Sequence, residues 1–100
     1  MSVYSIWESS FPAGSHEEGA AVTRAIWADM AEFDGYLDHE IVEDLAHPGH
    51  LLVLSRWKSR EAADAAMVYR SSPNARRADA LVSDPRRRTL GRVIDAGGAG

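Results

Sequence analysis

An apolar run in the middle of the chain leads straight into the start of a helix. Residues 50–57 read His-Leu-Leu-Val-Leu-Ser-Arg-Trp, in which four successive residues are aliphatic. Because neighbouring side chains on a strand point to opposite sides, such a strand is apolar on both faces. Ser59 follows as a helix cap, with Glu61 near the positive end of the helix dipole. The segment therefore predicts a strand that is buried on both sides and is joined by a short turn to a helix.

Periodicity, capping and turn residues predict the elements on either side of this segment. In chain order they are a strand over 3–11, a helix over 15–35, strands over 36–45 and 50–57, a helix over 60–70, a shorter helix from 72 that ends before 84–85, and a strand over 87–94. Ser15 and the glutamate three residues later are spaced as a capping box, and Gly35 is placed to end the first helix. Alternation along 36–45 predicts that Leu37 and His39 share one face, with Tyr36 on the other.

This order of elements is strand, helix, strand, strand, helix, strand, which is the ferredoxin-like α+β arrangement (βαββαβ) on one antiparallel sheet. Both helical regions then cover the same face of the sheet. The other face is left bare although the strand over 50–57 offers it apolar side chains, so a second copy of the chain is the simplest cover. We expect one domain over residues 1–95, followed by a flexible tail over 96–100.

Composition excludes several functional classes. The net charge is −4, which disfavours a general nucleic-acid binder, and the absence of cysteine rules out disulfides and thiolate chemistry. No apolar run approaches the roughly 20 residues of a membrane span, and the first residues lack the pattern of a signal peptide. The sequence predicts a soluble, cytoplasmic protein with no nucleic-acid or membrane partner.

One hairpin turn concentrates candidate metal ligands. Asp44, His47 and His50 lie close together in the sequence, but His-Pro-Gly-His is not a spacing typical of metal sites. The turn is therefore interpreted as solvated, and no metal is expected.

Three segments resemble a known family. These are Phe33-Asp34-Gly35-Tyr36-Leu37, the stretch over 54–63 with its Trp-x-Ser-x-x-Ala-Ala element, and Ser72-Pro73. They are similar to the small antibiotic biosynthesis monooxygenase (ABM) domain proteins of the dimeric α+β barrel superfamily, and the resemblance spans most of the chain. It implies a homodimer whose sheets pack face to face, with one ligand pocket per subunit between helices and sheet. Such proteins include cofactor-independent oxygenases of polyketide phenols, quinol oxygenases, haem-degrading enzymes and many members of no established activity.

The resemblance also implies a pocket tryptophan, which Trp57 matches. The polyketide oxygenases are expected to carry an asparagine four residues earlier and a tyrosine six residues later, where this chain has Val53 and Ala63. Trp57 is thus either a pocket residue or a core residue. His39 is a candidate base on an apolar strand face, although a structural histidine bonded to a neighbour is the favoured interpretation.

Aromatic residues elsewhere complete the predicted pocket. Trp7 and Trp27 are candidates for an aromatic cage, and Tyr69 is a candidate substitute for the missing tyrosine. The full set of candidate ligand-binding residues is Trp7, Trp27, Tyr36, Val53, Ser55 and Tyr69, and the candidate catalytic residues are His39 and Trp57.

Two classes of function remain open. The leading hypothesis is a homodimeric ABM-like protein that binds a small aromatic or quinol-like ligand and oxygenates it with no cofactor. The alternative is a non-catalytic ligand-binding or dimerisation module, favoured by Val53 and Ala63. Haem degradation is disfavoured because no histidine follows Trp57 in the sequence.

Overall fold

The computed structural model describes residues 2–98 and contains one four-stranded antiparallel sheet with helices on one face. Its elements are β1 (Val3–Ser10), α1 (His16–Met30), β2 (Tyr36–Glu43), β3 (His50–Trp57), α2 (Arg60–Ala65), a 3-10 helix (Ala66–Ser71), α3 (Pro73–Leu81) and β4 (Arg87–Arg92). None of the helices in this part of the chain is both long and apolar enough to cross a membrane. The predicted ferredoxin-like order is confirmed.

The strands lie in the order β2-β3-β1-β4, so β3 and β1 are the two central strands. The predicted hairpin of β2 and β3 is confirmed, and β1 pairs with both β3 and β4. Cross-strand partners share a face of the sheet. Trp7, Val53 and Ile41 are register partners and lie under the helices, whereas Ile6, Leu54 and Glu40 lie on the opposite, helix-free face.

The core lies between the helices and the sheet. Side chains from the buried side of α1 pack against alternate residues of β3, as its strand alternation predicts. The largest members of this core are Trp7, Phe11, Val22, Ile26, Trp27, Met30, Leu51, Val53 and Trp57. No element within residues 2–98 covers the helix-free face in this way, and Leu52 and Leu54 are only half-buried.

The predicted alternation along β2 is wrong at its start. A bulge lies between Tyr36 and Asp38, so that Tyr36 pairs with Trp57 while Asp38 pairs with the preceding residue of β3. An extra residue in one strand moves the side chains before it to the opposite face of the sheet. Tyr36 therefore shares the helix-covered face with His39, and Leu37 is exposed.

Several element ends also differ from prediction. The strands β1, β2 and β4 stop at residues 10, 43 and 92, so the predicted extensions to 11, 45 and 94 are wrong. Leu45 and Ile94 are 97% and 91% exposed, because each lies beyond the last paired residue of its strand. Residues 96–98 form no regular element, and residues 99 and 100 of the predicted tail lie outside the described residues.

Of the serines predicted to cap helices, two make side-chain cap bonds and one does not. Ser59 and Ser72 accept hydrogen bonds from the backbone N–H groups of Ala62 and Ala75, as N-caps do. The predicted capping box at Ser15 is wrong, because its side chain makes no cap bond. The first helix ends at Met30, and Gly35 instead adopts φ +85° in the turn before β2.

The predicted helix over 60–70 is divided into α2 and the 3-10 helix. A 3-10 helix has poorer hydrogen-bond geometry than an α-helix, so it is usually short. This one passes directly over the core and leads into α3 at Pro73.

Candidate functional site

A small cavity lies between the sheet, α1, the 3-10 helix and α3. Three of the predicted ligand-binding residues line it, namely Trp7, Trp27 and Tyr69. The other lining residues are Ile26, Met30, Ala66, Met67, Arg70, Ala75 and Arg86. Its volume is about 20 Å³, which holds about one water molecule rather than an aromatic ring.

Two guanidinium groups lie beside the indole of Trp7. Cζ of Arg86 is 5.1 Å and Cζ of Arg70 is 5.7 Å from the centroid of the ring, within the range of cation–π contacts. Arg86 donates through Nε to Oδ1 of Asp79 at 2.7 Å, and its side chain is only 8% exposed. The wall of the cavity is thus aromatic with a cationic edge.

Tyr69 closes the cavity from the 3-10 helix. Its hydroxyl donates to Oδ2 of Asp29 at 2.5 Å, and Asn74 donates to the same oxygen at 3.3 Å. Burial, followed by the hydrogen bond to Asp29, raises the pKa of Tyr69 above its usual value. The tyrosine is therefore protonated at neutral pH and is a hydrogen-bond donor held by a carboxylate.

A second aromatic cluster lies behind Trp27. The Tyr36 hydroxyl is 2.5 Å from Nδ1 of His39, and the His39 ring lies 5.5 Å from that of Trp27. Tyr36 packs edge-on against Trp57 at 5.7 Å, and burial is the main cause of its raised pKa. The bulge in β2 makes this contact, because it brings Tyr36 and His39 to the same face. His39 does not line the cavity.

Trp57, Ser55 and Val53 are core residues. Their exposed fractions are 1%, 0% and 3%, and none of them lines the cavity. Nε1 of Trp57 donates to Oγ of Ser55 at 2.9 Å, and that hydroxyl donates to the carbonyl of Ser5 at 2.7 Å. This chain of hydrogen bonds satisfies every polar atom in it. Roles for these three residues in ligand binding or catalysis stay predictions.

The hairpin histidines form a polar cluster at one end of the helix-free face. Nδ1 of His50 lies 2.9 Å from Oδ2 of Asp44, and Nε2 lies 3.1 Å from Oε1 of Glu8. The hydrogen bond to Asp44, followed by that to Glu8, raises the pKa of His50. The bond from His50 is the main cause of the lowered pKa of Asp44. His47 reaches the same Asp44 oxygen at 3.2 Å but is exposed. Within residues 2–98, no group of three or more such side chains is arranged to hold a metal ion.

Sequence reasoning missed the two arginines of the cavity. Arg86 belongs to a basic run at the start of β4, and such a run is usually a solvated or ion-paired segment. Arg70 closes the 3-10 helix. No local signal pairs either residue with Trp7, because the contact joins positions more than sixty residues apart in the sequence.

These features define a class: a small ferredoxin-like α+β protein with an aromatic cavity between helices and sheet. The family model for antibiotic biosynthesis monooxygenases (ABM) matches residues 2–80, so the chain belongs to the ABM family. The resemblance expected from the sequence is thereby confirmed. No curated protein matches the sequence.

Solved structures share the fold at low sequence identity. SnoaB, a cofactor-independent oxygenase from Streptomyces nogalater, superposes with a TM-score of 0.80 at 16% identity, covering 95% of each chain. Rv0793 from Mycobacterium tuberculosis gives 0.75 at 22% identity, covering 98% of this chain and 100% of the other. A conserved protein from Methanosarcina mazei gives 0.77 at 12% identity, covering 92% of each chain. At these identities the likeness establishes the fold alone.

Proposed function

We propose that this protein binds a small electron-rich aromatic molecule in the cavity beside Trp7 and Trp27 and oxygenates it with molecular oxygen, without a bound cofactor. The observation that carries the proposal is the aromatic cavity, enclosed between helices and sheet, in a chain of the ABM family. SnoaB, which shares this fold, is itself a cofactor-independent oxygenase.

The reaction class follows from the electron balance. A methylene group between phenolic rings can supply all four electrons needed to reduce O2, giving a carbonyl group and one water molecule. The protein then has only to exclude bulk water, orient the ring and accept or hold a proton. Trp7 and Trp27 would orient the ring, and Tyr69 with Asp29 is the proton-holding pair at the cavity wall.

The ligand needs more room than the closed cavity offers. Met67, Tyr69 and Arg70 all come from the 3-10 helix, whose backbone hydrogen bonds are weaker than those of α1. Met67 also has a flexible, unbranched side chain. Displacement of side chains of this segment, that of Arg70 included, is the movement that would admit an aromatic ring.

We also propose that two copies of the chain associate through their helix-free faces, as in the dimeric α+β barrel. The centre of this face carries Tyr4, Ile6, Leu52 and Leu54, which are half-buried, and Val42, which is exposed. Charged groups lie at both ends: the His50 cluster at one end, and the ion pair of Asp38 and Arg56 at the other. An apolar centre within a polar rim is the usual composition of a protein interface. In this proposal the protein acts in the cytoplasm.

Oxygen consumption tests the reaction. An anthrone and a naphthohydroquinone are incubated with the protein in an oxygen electrode, with protein-free and anaerobic controls for autoxidation. We expect protein-dependent uptake of one O2 per carbonyl formed from the anthrone and of one O2 per hydroxyquinone formed from the naphthohydroquinone. In both cases no oxygen is returned on addition of catalase, because water is the other product. The absence of protein-dependent uptake with both compounds would contradict the proposed reaction.

A non-catalytic binding module is the second candidate. Val53 and Ala63 favour it, since they are buried and apolar where polar pocket groups were expected. Saturable binding of the same compounds without oxygen uptake would establish this candidate instead.

A further inference from the structure

We propose that the cavity selects a planar aromatic anion, with Arg86 as its fixed anchor and Arg70 as a movable gate over Trp7. The inference rests on the proposed function in that the same cavity receives the ligand, and it adds the charge of that ligand. It starts from the positions of the two guanidinium groups.

Arg70 and Arg86 each line two neighbouring spaces. Both line the 20 Å³ cavity, and both line an open surface groove of about 430 Å³ on its outer side. The groove continues along Val82, Ser83 and Pro85. The arginine pair therefore lies between the aromatic cavity and the groove, and moving one of these side chains would widen the passage between the two spaces.

The two arginines are held very differently. The side chain of Arg86 is 8% exposed and donates through Nε to Asp79 and through Nη2 to the carbonyl of Ala75 at 3.5 Å. Arg70 is exposed, and among residues 2–98 it has no carboxylate partner and no side-chain hydrogen bond. A long, unpaired side chain on the surface changes rotamer at little cost, whereas the ion pair fixes Arg86. Arg70 can thus move away from Trp7 while Arg86 stays in place.

The local charge favours an anion. Two cations lie beside one indole ring, and among residues 2–98 Asp79 is the one carboxylate that contacts either of them. Asp29, the other carboxylate at the cavity wall, is bonded to Tyr69 and Asn74. Asp84 also lines the groove but is exposed, so solvent screens its charge. Arg70 is thus a cation without a carboxylate partner among residues 2–98, at the entrance of the cavity in a chain whose net charge is −4. An anionic ligand would therefore be attracted to this entrance and not to the surface as a whole.

A planar ring with an acidic substituent fits this arrangement. When Arg70 moves, the ring can take its place against Trp7, and a carboxylate or phenolate on the ring can accept hydrogen bonds from the Nη groups of Arg86. Arg70 then folds back over the ligand from the solvent side. Aromatic stacking and a charge-assisted hydrogen bond are both satisfied in one pose.

A pair of isosteric probes tests the charge selection. Binding of 2-naphthoate and of the neutral 2-naphthamide is measured by calorimetry with the native protein, Arg70→Gln and the matched control Arg76→Gln, which changes an exposed arginine on α3. We expect the native protein to prefer the anion by about tenfold or more, as one hydrogen bond to a charged group gives. Arg70→Gln should weaken binding of the anion without weakening that of the amide, and Arg76→Gln should change neither.

The other outcomes distinguish anion selection, the gate and the oxygenation from one another. Equal affinity of the native protein for the two probes overturns anion selection, and equal effects of the two substitutions overturn the gate. Absence of saturable binding by both probes overturns this inference and also removes the basis of the proposed function. A clear preference for the anion without oxygen uptake in the electrode leaves this inference intact and overturns only the oxygenation.

Discussion

At the scale of single residues, Ser55 is the polar centre of the core. Its hydroxyl donates to the Ser5 carbonyl on β1 and accepts from Trp57 on β3. Removing it leaves the buried Nε1–H of Trp57 without a partner, which costs more than the loss of an exposed hydrogen bond. We expect Ser55→Ala to lower the free energy of unfolding by about 1–3 kcal/mol, measured by urea denaturation.

A double-mutant cycle identifies the cause of that loss. Trp57→Phe removes the Nε1 donor. In that background Ser55→Ala no longer leaves this donor without a partner, so it should lower the free energy of unfolding by less. If the cost of Ser55→Ala is the same in both backgrounds, the bond from Trp57 contributes nothing measurable to stability.

His50 should give the protein a stability that depends on pH. The carboxylates of Asp44 and Glu8 raise its pKa above the ordinary 6.5, so the folded state favours the charged imidazolium. This contribution is complete below about pH 6.5 and is lost as the pH rises through the raised pKa. We expect His50→Gln to be less stable than the native protein at about pH 5.5 and closer to it at about pH 9. Thermal unfolding at several pH values measures the difference.

His47→Gln is the matched control for this experiment. His47 also contacts Asp44, but it is exposed at the tip of the turn, where an ion pair contributes little. A native-to-variant difference for His50→Gln that does not change with pH would contradict the argument.

Individual residues differ in how far the sequence predicts their surroundings. The sequence predicted that β3 is apolar on both faces, because the alternation of side chains along a strand needs only local information. The structure buries the face of Leu51, Val53, Ser55 and Trp57 fully and leaves the other face half-buried. The contacts of Arg70 and Arg86 with Trp7 are created by the topology, which brings β1, the 3-10 helix and the start of β4 together. No pattern within one segment contains that information.

At the scale of elements, the caps explain where the short helices begin. Ser72 accepts from the N–H of Ala75, and Pro73 occupies the first helical position. Ser15 occupies the same kind of position before α1 but makes no side-chain cap bond. We expect Ser72→Ala to cost about 1 kcal/mol of stability and Ser15→Ala markedly less, as measured by chemical denaturation. Equal costs would show that the cap bond of Ser72 is not what distinguishes the two sites.

The element that sequence reasoning misjudged most is β2. A strict period of two assigned Tyr36 and His39 to opposite faces, but a single bulge places them on one face, with their polar atoms in contact. A bulge adds one residue to one strand only, and its position depends on the partner strand. The hairpin of β2 and β3 could be predicted because the residues that form its turn are adjacent in the sequence.

Across the whole molecule, the two faces of the sheet differ in how far they are covered. The helices bury the centre of one face, and the other face keeps an apolar centre around Leu52 and Leu54 that no described residue covers. The sequence predicted this asymmetry, since four aliphatic residues in a row serve both faces of one strand. It could not define the cavity, whose size depends on how the 3-10 helix packs.

The proposed dimer depends on the apolar centre of the helix-free face. Leu54→Glu places a charge at the centre of the helix-free face, where a second copy would have to bury it without a partner, so we expect the dimer to dissociate. Light scattering after size exclusion gives the mass of the native and variant proteins at matched concentrations. Val68→Glu is the matched control, because Val68 is 69% exposed on the 3-10 helix, away from this face. Since the carboxylate of Leu54→Glu would be solvated in an isolated subunit, the variant should remain folded as a monomer. A native protein that is already monomeric at high concentration, or a Leu54→Glu variant that remains dimeric, would contradict association through this face.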